Sequence, residues 1–593
     1  MNYFRKYIKP NGLYFILGPI GLLMEVGGDI ALPLLIADVI NKGVMSGDIH
    51  HILMDMLYMA IVIILGGVGG TAGSYWSSKA SMTAGSGIRQ DLFEKIQTLS
   101  FQNLDEFTTG SLITRLTNDI TQIQNTIMMI MRMVLRCPIM IVSAVIISFI
   151  LNARLALIIL IVVPVLVAVI YVILKMSYPR FDEMQKKLDK INSIIQESLV
   201  NIRVVKSFVR EDFEKEKFDK ANETLKDKTI SAMGINLMLQ PYMTLVMYIA
   251  TVAVVWFGAR FIMKGEMSVG DLTAFITYVS QIQMNLTMLS RAFLTGTRAL
   301  TSFKRIDQVL RCEVDLNDDK AHALDKVVSE GNVEFKNVKY KYYKKRKQWV
   351  LDDISFRIEG GQTLGIIGPT GSGKSTLVAL IPRLYDVDEG EILVDGVNVR
   401  DYSLYNLREG VGVVLQKNLL FSGSIMENIR WGNQQASDKQ VYDVCEEAQA
   451  HTFVKQFSQG YDTQLGQGGV NVSGGQKQRL CIARALLKKP KILILDDSTS
   501  AVDTATEAKI RETFDTTLKD ATKIIIAQRI SSVINADKII VIDEGKIVGS
   551  GTHTELMNSC MTYIDIFASQ MSLEDAERTM KRTMKKTMEE VLD

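Results

Sequence analysis

The chain has 593 residues, too many for one hydrophobic core, so two or more domains are expected. Its mean hydropathy of +0.14 is high for a chain with 22% charged residues and indicates a very apolar part joined to a charged one. A net charge of +2 gives no reason to expect nucleic acid as a partner. The five scattered cysteines indicate free thiols in a reducing compartment, not a disulfide or metal framework.

Six stretches in the first 300 residues are apolar and long enough to cross a bilayer as helices, which takes about 20 residues. They lie near residues 13–39, 52–77, 127–151, 154–175, 236–262 and 271–296. The long joins near 78–126 and 176–235 have helical periodicity and are rich in Lys and Arg, so the positive-inside rule places them in the cytoplasm. We therefore expect a multi-pass protein of the cell membrane, in contact with membrane lipid, with both termini in the cytoplasm.

Charged residues inside two of these spans need an explanation, because a charge within the bilayer is costly. Glu25 and Asp29 lie four residues apart in the first span, and Arg132 and Arg136 lie four apart in the third. Each pair is therefore expected to share one helix face. The four residues form a buried ion-pair ladder between two packed helices, or an acidic patch on a transport cavity that favours cationic cargo, or charges at the membrane interface if the spans are misplaced.

The composition changes after the sixth span and divides the chain into four parts. We predict a transmembrane domain over 1–310, a linker of mixed charge over 311–332, a soluble α/β domain over 333–570 and a C-terminal helical tail over 571–593. The tail carries methionines at helical spacing that could contact a partner, although a solvated end is the simpler interpretation.

The segment LGIIGPTGSGKSTL has the pattern of a strand, a glycine-rich turn and a helix start. Gly368, Gly371 and Gly373 allow backbone N–H groups to curl toward phosphate oxygens, and the helix N-terminus adds its positive dipole end. Lys374 can reach the β- and γ-phosphates, and the Ser375 hydroxyl can bind Mg²⁺. The segment therefore predicts a site for a magnesium-bound nucleoside triphosphate.

Two further segments belong with this loop. The apolar strand KILIL ends in Asp496 and Asp497, and Asp496 suits the ligand shell of the magnesium ion. The segment NVSGGQKQRL carries Ser473, Gly474 and Gly475 at a helix start with no strand before it, which makes a second backbone nest for phosphate. The two phosphate-binding surfaces can form one site only if two such domains meet face to face.

This order of elements resembles the ATP-binding-cassette family, and the resemblance to its exporter half-transporters covers essentially the whole chain. It implies a helical transmembrane domain of six spans with long cytoplasmic extensions, followed by an α/β P-loop cassette that binds ATP and Mg²⁺. The implied ATP-binding residues are Tyr342, which stacks on adenine, and Gly368, Pro369, Thr370, Gly371, Ser372, Gly373, Lys374, Ser375, Thr376 and Gln416. The implied magnesium ligands are Ser375, Gln416 and Asp496.

The resemblance also implies surfaces that face a second cassette and the membrane domain. The signature motif, which serves the partner's ATP, is Val472, Ser473, Gly474, Gly475 and Gln476. The loop that crosses to the opposite cassette contains Ser500 and Asp503. The stretches 108–119 and 204–214 are implied to supply short coupling helices that carry cassette closure to the membrane domain.

Two catalytic positions depart from the family pattern. A Glu usually follows the magnesium-binding Asp and acts as general base, whereas this chain has Asp497; a His usually holds the switch position, whereas this chain has Gln528. The shorter side chain withdraws the carboxylate by roughly 1.5 Å, and general-base catalysis is worth about 10² to 10⁴ in rate. We predict a site that binds Mg-ATP and hydrolyses it poorly, with a partner half-transporter that brings Glu and His opposite the intact signature motif.

The resulting prediction is one half of a heterodimeric, ATP-driven exporter that moves amphipathic, drug-like compounds out across the membrane. A lipid or peptide exporter with the same machinery is a second possibility within transport. The sequence also leaves open a homodimeric slow ATPase and an ATP-gated regulatory or sensor protein, and the degenerate site motivates the regulatory or sensor protein.

Overall fold

The computed structural model describes residues 5–319, 321–342, 348–497 and 502–570. The chain forms two compact units: one runs to Gln97 and resumes over Thr109–Cys312, and the other joins Thr98–Thr108 to the chain from Glu313 onward. The first unit is helical and the second contains the α/β domain, which confirms the predicted fold class. The predicted tail at 571–593 and Ser500 lie outside the described residues.

Helices, several of them much longer than a bilayer is thick, build the first unit. The helices of the first 312 residues are α1 (Arg5–Ile8), α2 (Gly12–Asp38), α3 (Ile49–Thr98), α4 (Phe101–Glu106), α5 (Thr109–Thr114), α6 (Ile120–Met129), α7 (Arg136–Leu151), α8 (Ala153–Val200), α9 (Ile202–Ser207), α10 (Glu211–Leu237), α11 (Leu239–Met263) and α12 (Val269–Leu310). Wider π-helical turns at Val39–Val44, Arg115–Asp119 and Ile130–Val134 join some of these helices into continuous runs.

In the described part of the chain, five helical runs are long and apolar enough to cross a membrane. They are Lys6–Val44, Ile49–Thr98, Thr109–Leu151, Ala153–Val200 and Glu211–Met263. The sixth predicted span falls in α12, a helix of 42 residues that is not among these five. Its length is sufficient to cross a bilayer, and it packs on α2 and α7 with Phe275 and Tyr278 buried.

Helices α2 and α3 approach each other so closely that glycine is required where they cross. A Cβ atom on Gly21 would lie 2.6 Å from the carbonyl oxygen of Gly69 and 2.7 Å from the amide nitrogen of Gly73. A Cβ on Gly73 would lie 2.7 Å from the amide nitrogen of Leu22. Small residues allow such backbone contacts between membrane helices, where lipid removes most of the hydrophobic drive for association.

The described residues of the second unit contain two main sheets. The strands are β1 (Val333–Tyr340), β2 (Leu351–Ile358), β3 (Thr363–Ile367), β4 (Glu389–Val394), β5 (Val397–Asn398), β6 (Val411–Val414), β7 (Gly423–Ser424), β8 (Gln464–Leu465), β9 (Ile492–Asp496), β10 (Thr522–Ile526), β11 (Lys538–Asp543) and β12 (Lys546–Gly551). An antiparallel sheet has the order β2-β1-β4-β5, and a larger sheet has the order β12-β11-β3-β10-β9-β6. The larger sheet is parallel except at β12.

Helices cover the parallel sheet, as its buried apolar strands require. The α-helices described after the linker are α13 (Lys374–Leu380), α14 (Leu404–Gly410), α15 (Ile425–Arg430), α16 (Asp438–Glu447), α17 (His451–Lys455), α18 (Gly474–Leu487), α19 (Thr504–Thr516), α20 (His553–Ser559) and α21 (Met561–Gln570). Helices α13, α14, α18, α20 and α21 contact strands of this sheet, whereas α15 and α16 pack on α18. Strands β3, β9 and β10 lie next to one another, so their carboxyl ends open at one edge of the sheet. Such an edge is where ligands bind in open α/β sheets.

Candidate nucleotide site and membrane cavity

A pocket of about 570 Å³ lies at the carboxyl ends of β3, β9 and β10. Its lining brings together residues that are far apart in the chain and includes most of the predicted ATP-binding set. The lining residues are Tyr342, Val350, Gly368, Pro369, Thr370, Gly371, Gly373, Lys374, Ser375, Thr376, Gln416, Asp496, Asp497, Ile526, Gln528 and Ile566. The predicted Ser372 is buried in the same loop, at 5% exposure.

The loop after β3 has the curled backbone that its glycines predict. Gly368 has a φ of 153°, and a Cβ there would lie 1.9 Å from the carbonyl oxygen of Ile542, so only glycine fits. The Lys374 ammonium group closes the loop by donating to the carbonyl oxygens of Gly368 at 2.9 Å and Pro369 at 2.7 Å. Burial lowers the pKa of Lys374. A bound anion would relieve that cost, which is consistent with a phosphate site.

Ser375 and Asp496 form a pair of oxygen ligands at the base of the pocket. The Ser375 hydroxyl donates to Asp496 Oδ1 at 3.0 Å. The Asp496 side chain is buried, and burial raises the pKa of its carboxyl group. A buried carboxylate beside a hydroxyl fits Mg²⁺, which prefers oxygen ligands and neutralises the charge that burial penalises.

Asp497 is held by the two glutamines that the sequence placed in the site. Gln528 Nε2 donates to Asp497 Oδ2 at 2.7 Å, and Gln416 Nε2 lies 3.5 Å from the same oxygen. The backbone amide of Asp497 donates to the carbonyl oxygen of Ile526 at 3.0 Å, which ties the residue to the end of β10. Burial raises the pKa of the Asp497 carboxyl group. The two departures from the family pattern are thus in direct contact.

The predicted adenine-stacking residue, Tyr342, lies on the pocket wall in an aromatic cluster. Its ring packs edge-on against Tyr340 and Tyr385, with centroids 5.1 and 5.3 Å away. Its hydroxyl shares a hydrogen bond of 3.0 Å with Thr376 Oγ1, which links the ring to the first turn of α13. The ring therefore has a fixed position beside the phosphate loop, and its role toward adenine stays a prediction.

The signature residues do not line the Lys374 pocket, although all five lie in the described part of the chain. Ser473 caps α18: its Oγ accepts from the amide of Gln476 at 3.3 Å, and Gln476 Oε1 accepts from the amide of Ser473 at 2.9 Å. Ser473 and Gly474 are exposed. Asp503 caps α19 by accepting from the amide of Thr506 at 2.9 Å, a hydrogen bond that lowers the pKa of its carboxyl group.

Some residues at the pocket gave no signal in the sequence. Ile566 and Gln570 lie on α21, about 190 residues after the phosphate loop. Gln570 Nε2 donates to the carbonyl oxygen of Gln528 at 2.7 Å, and Gln570 Oε1 accepts from the amide of Ile530 at 2.9 Å. The last described helix therefore braces the backbone on both sides of Arg529, next to the switch position. Only the three-dimensional fold brings this helix to the site.

The segment that contacts the cassette lies earlier in the chain than predicted. Helix α4 belongs to the same compact unit as the cassette, whereas residues 109–119 belong to the helical unit. Tyr385 donates to Asp105 Oδ2 at 3.1 Å, and its ring lies 6.1 Å from that of Phe101. The contact with the cassette that was predicted for residues 108–119 is therefore found several residues earlier, in α4. Tyr385 also touches Tyr342, so α4 is two aromatic contacts from the pocket.

A separate cavity of about 810 Å³ lies among the membrane helices. It contains all four charged residues that the sequence singled out, and its lining is otherwise mostly apolar. The lining residues are Leu22, Glu25, Gly28, Asp29, Leu32, Val62, Ile63, Gly66, Gly67, Gly70, Thr71, Ser74, Asn125, Met128, Met129, Arg132, Met133, Arg136 and Met288. The cavity therefore combines flexible methionine side chains with a charged patch on one wall.

The charged patch is asymmetric. Arg136 Nη2 lies 2.7 Å from Asp29 Oδ2 and 3.1 Å from Glu25 Oε1, so one guanidinium serves both carboxylates. Arg132 makes no ion pair with any described residue and is exposed in the cavity. The interpretation of the charges as an ion-pair ladder thus describes Arg136 only. The two carboxylates share Arg136 and do not each pair with a different arginine.

Comparisons with known proteins agree with this geometry. The family model for the ABC transporter transmembrane region matches residues 15–286, and the ABC transporter model matches residues 351–500. The uncharacterized ABC transporter ATP-binding protein YfiB of Bacillus subtilis (strain 168) is 38% identical over 96% of this chain and 99% of its own length. YgaD of the same organism, a candidate multidrug export ATP-binding/permease protein, is 32% identical over 96% of this chain and 99% of its own.

A solved structure of a bacterial Atm1-family ABC exporter with ATP bound superposes with a TM-score of 0.79. It is 26% identical in sequence and covers 96% of this chain and 98% of the exporter chain. The chain therefore belongs to the ABC transporter family. Within that family it is an ATP-driven exporter half-transporter, a membrane protein with one transmembrane domain fused to one ATP-binding domain.

Proposed function

We propose that this chain is the weakly hydrolytic half of a heterodimeric exporter whose partner chain carries the efficient ATPase site. One observation carries the proposal: Asp497 Oδ2 accepts a hydrogen bond of 2.7 Å from Gln528 Nε2. A general base must accept a hydrogen bond from the attacking water, either directly or through one further water. Here the side-chain amide of Gln528 competes with water for the carboxylate oxygen that faces the switch position.

The short side chain of Asp497 also weakens its action as a general base. Asp497 is one methylene shorter than the Glu that the family usually has, so its carboxylate stops short of the water. General-base catalysis contributes about 10² to 10⁴ in rate, which corresponds to roughly 3–5 kcal/mol of barrier. A site that loses this contribution can still bind nucleotide, because binding depends on other groups.

Those binding groups are all present. The loop from Gly368 and Lys374 line the pocket together with Tyr342. We assign the phosphates to the loop and to Lys374, and adenine to the ring of Tyr342. Ser375 and Asp496, with Gln416 in the same pocket, would hold Mg²⁺. The ion neutralises negative charge on the phosphate oxygens. The pocket is therefore suited to binding Mg-ATP for a long time while hydrolysing it slowly.

Two exposed surfaces of the chain support a dimer of half-transporters. The exposed signature residues Ser473 and Gly474 form a phosphate nest that this chain's own pocket does not use. The turn after α9 exposes Phe208 and Val209 at 70% and 80%, which is unusual for large apolar residues away from lipid. We assign the first surface to the partner's ATP and the second to the partner's cassette.

The cavity supports an amphipathic, drug-like cargo. Methionines adapt to many shapes, and the patch around Arg132 and Arg136 provides a polar end. The candidate multidrug role of YgaD is consistent with this class. We place the chain in the cell membrane with both termini and the cassette in the cytoplasm, because the joins near 78–126 and 176–235 are rich in Lys and Arg, which favours the cytoplasmic side. A lipid or peptide cargo would use the same cavity, and transport assays with each class of cargo distinguish the three.

The test compares the purified chain alone with the chain co-expressed with a half-transporter that has Glu and His at the two positions. We expect native mass spectrometry to detect a one-to-one complex and cargo to stimulate its ATP turnover. The chain alone should bind ATP and hydrolyse it slowly. The double variant Asp497→Glu, Gln528→His should raise hydrolysis at this site by roughly 10². Lys374→Ala in the same background is the matched control and should abolish the gain.

Three results would contradict the proposal. Rapid hydrolysis by a homodimer of this chain would favour the homodimeric ATPase. No gain from the double variant would mean that the two departures are neutral. ATP binding without any cargo-stimulated turnover in the complex would favour a regulatory or sensor protein.

A further inference from the structure

Three potential metal ligands converge where α2 ends and α3 begins. Asp38 is the last residue of α2, and the π-helical turn Val39–Val44 follows it directly. His51 and Asp55 lie four residues apart on one face of α3. His51 Nε2 lies 3.0 Å from Asp38 Oδ2 and 3.3 Å from Asp55 Oδ2. This cluster is far in the chain from every residue of the nucleotide pocket.

A buried oxygen that accepts no hydrogen bond from any described residue lies in this cluster. The Asp55 side chain is only 5% exposed, and its Oδ2 atom makes no hydrogen bond with any described residue. The His51 ring nitrogen approaches this oxygen, but its hydrogen bond goes to Asp38. An unsatisfied buried carboxylate oxygen is costly and therefore rare in native proteins. Here the oxygen points to the space that its two neighbours also face.

We propose that Asp38, His51 and Asp55 form a binding site for a divalent transition-metal ion, with Zn²⁺ as the best fit. One imidazole nitrogen and two carboxylate oxygens are a common ligand set for zinc, and water completes a tetrahedron. Ligand bonds of about 2.0–2.1 Å place neighbouring ligand atoms roughly 3.3 Å apart. The two His–Asp distances already match that spacing, and all three ligand atoms lie within 4.8 Å of one another.

The surrounding charge favours a cation in this position. Lys42 pairs with the other oxygen of Asp38, Oδ1, at 2.8 Å, so it orients the carboxylate and leaves Oδ2 facing His51. With His51 neutral, the two carboxylates and one ammonium leave a net negative charge. A divalent ion neutralises it, provided that His51 presents an unprotonated Nε2. The bound ion then joins the end of α2 to the start of α3 across the intervening turn.

The test uses the full-length protein purified without a histidine tag and without nucleotide. After treatment with chelator and reloading with Zn²⁺, we expect the dialysed protein to retain about one zinc per chain and to unfold at a higher temperature. His51→Ala and Asp55→Asn should each weaken zinc binding by roughly tenfold or more. His50→Ala is the matched control, because His50 is the exposed neighbour outside the cluster, and it should behave like the wild type.

A spectroscopic measurement on the wild type keeps the proposal testable if a variant does not fold. Co²⁺ in a tetrahedral site of nitrogen and oxygen ligands gives visible d–d absorption. Added Zn²⁺ should displace the Co²⁺ and remove this absorption. Wild-type protein that retains no zinc after dialysis would overturn the proposal. Zinc retention that His51→Ala leaves unchanged would overturn it equally, because the metal would then be held elsewhere.

Discussion

The side chains of Gln528 and Asp497 are joined by a hydrogen bond of 2.7 Å at the mouth of the nucleotide pocket. The two positions are 31 residues apart in sequence, and both differ from what the family usually has. Because they touch, a change at one position alters the surroundings of the other. In the proposed function, this contact adds to the shorter side chain in keeping the carboxylate from the attacking water.

In the proposed heterodimer, Asp497→Asn should therefore change the rate of ATP turnover little. In a site where the carboxylate is an efficient base, its neutralisation costs about 10² to 10⁴ in rate. Here we expect the cargo-stimulated ATP turnover of the complex to fall by less than about tenfold, since in the proposed heterodimer the partner's site does most of the cleavage. Asp497 has a φ of 49°, a conformation that Asn also tolerates, so the backbone should not be strained. Steady-state phosphate release measures the effect.

The control for this variant is the Glu→Gln change at the corresponding position of the partner chain. That change should abolish most of the turnover. If Asp497→Asn is as damaging as the partner variant, both sites hydrolyse ATP and the asymmetry is absent.

Asp496 should make the nucleotide-free protein less stable at neutral pH. Burial raises the pKa of its carboxyl group above the unfolded value, so its contribution to stability is present at low pH and is lost as the pH rises through the folded pKa. Asp496→Asn should therefore raise the melting temperature at pH 7 without Mg²⁺ and change it little near pH 4. Asn can still accept the hydrogen bond from Ser375, which keeps the local geometry. Thermal unfolding at both pH values tests this.

Asp503 provides a control of opposite sign. The amide of Thr506 lowers the pKa of the Asp503 carboxyl group, so its stabilising contribution is present above the unfolded pKa and is lost as the pH falls. Asp503→Asn should lower the melting temperature slightly at pH 7. A decrease for Asp496→Asn at pH 7 would show that burial of that carboxylate is compensated in the apo protein.

The curled loop after β3 and the placing of Ser375 and Asp496 in one pocket were predictable because their signals are local. Glycine spacing defines the loop after β3, and an apolar strand with a terminal carboxylate defines β9. The hydrogen bonds of Gln570 beside the switch position were not predictable from the sequence, because α21 reaches the site only through packing of the whole sheet. The unequal pairing of the two arginines was not predictable either, because Arg132 and Arg136 line the same cavity and only Arg136 forms ion pairs with Glu25 and Asp29 among the described residues.

The crossing of α2 and α3 should tolerate no side chain at Gly21. A Cβ there meets backbone atoms of Gly69 and Gly73 within 2.7 Å, and backbone cannot move aside as a flexible side chain can. We expect Gly21→Ala to destabilise the protein by about 1–3 kcal/mol, the usual cost of overpacking. Gly27→Ala is the matched control, since a Cβ at Gly27 has nothing within 4 Å. Melting temperatures in detergent that fall equally for both would refute the close crossing.

Arg136 and Arg132 should differ sharply in their effect on stability although they lie four residues apart. Arg136→Gln removes the only cation that is ion-paired with Glu25 and Asp29 among the described residues, and leaves two carboxylates close together in the membrane unit. Removing one partner of such a group is more damaging than removing all of it. We therefore expect Arg136→Gln to lower the melting temperature clearly, and the triple change with Glu25→Gln and Asp29→Asn to restore much of it.

Arg132→Gln is the control on the same segment. Arg132 lines the cavity without an ion pair to any described residue, so its loss should leave the melting temperature nearly unchanged. It should instead alter transport, because it removes the unpaired positive charge from the cavity wall and weakens the attraction for acidic groups on a cargo. Export of matched acidic and neutral amphiphiles measures this selectivity. Equal loss of stability in both arginine variants would mean that Arg132 also pairs within the membrane domain.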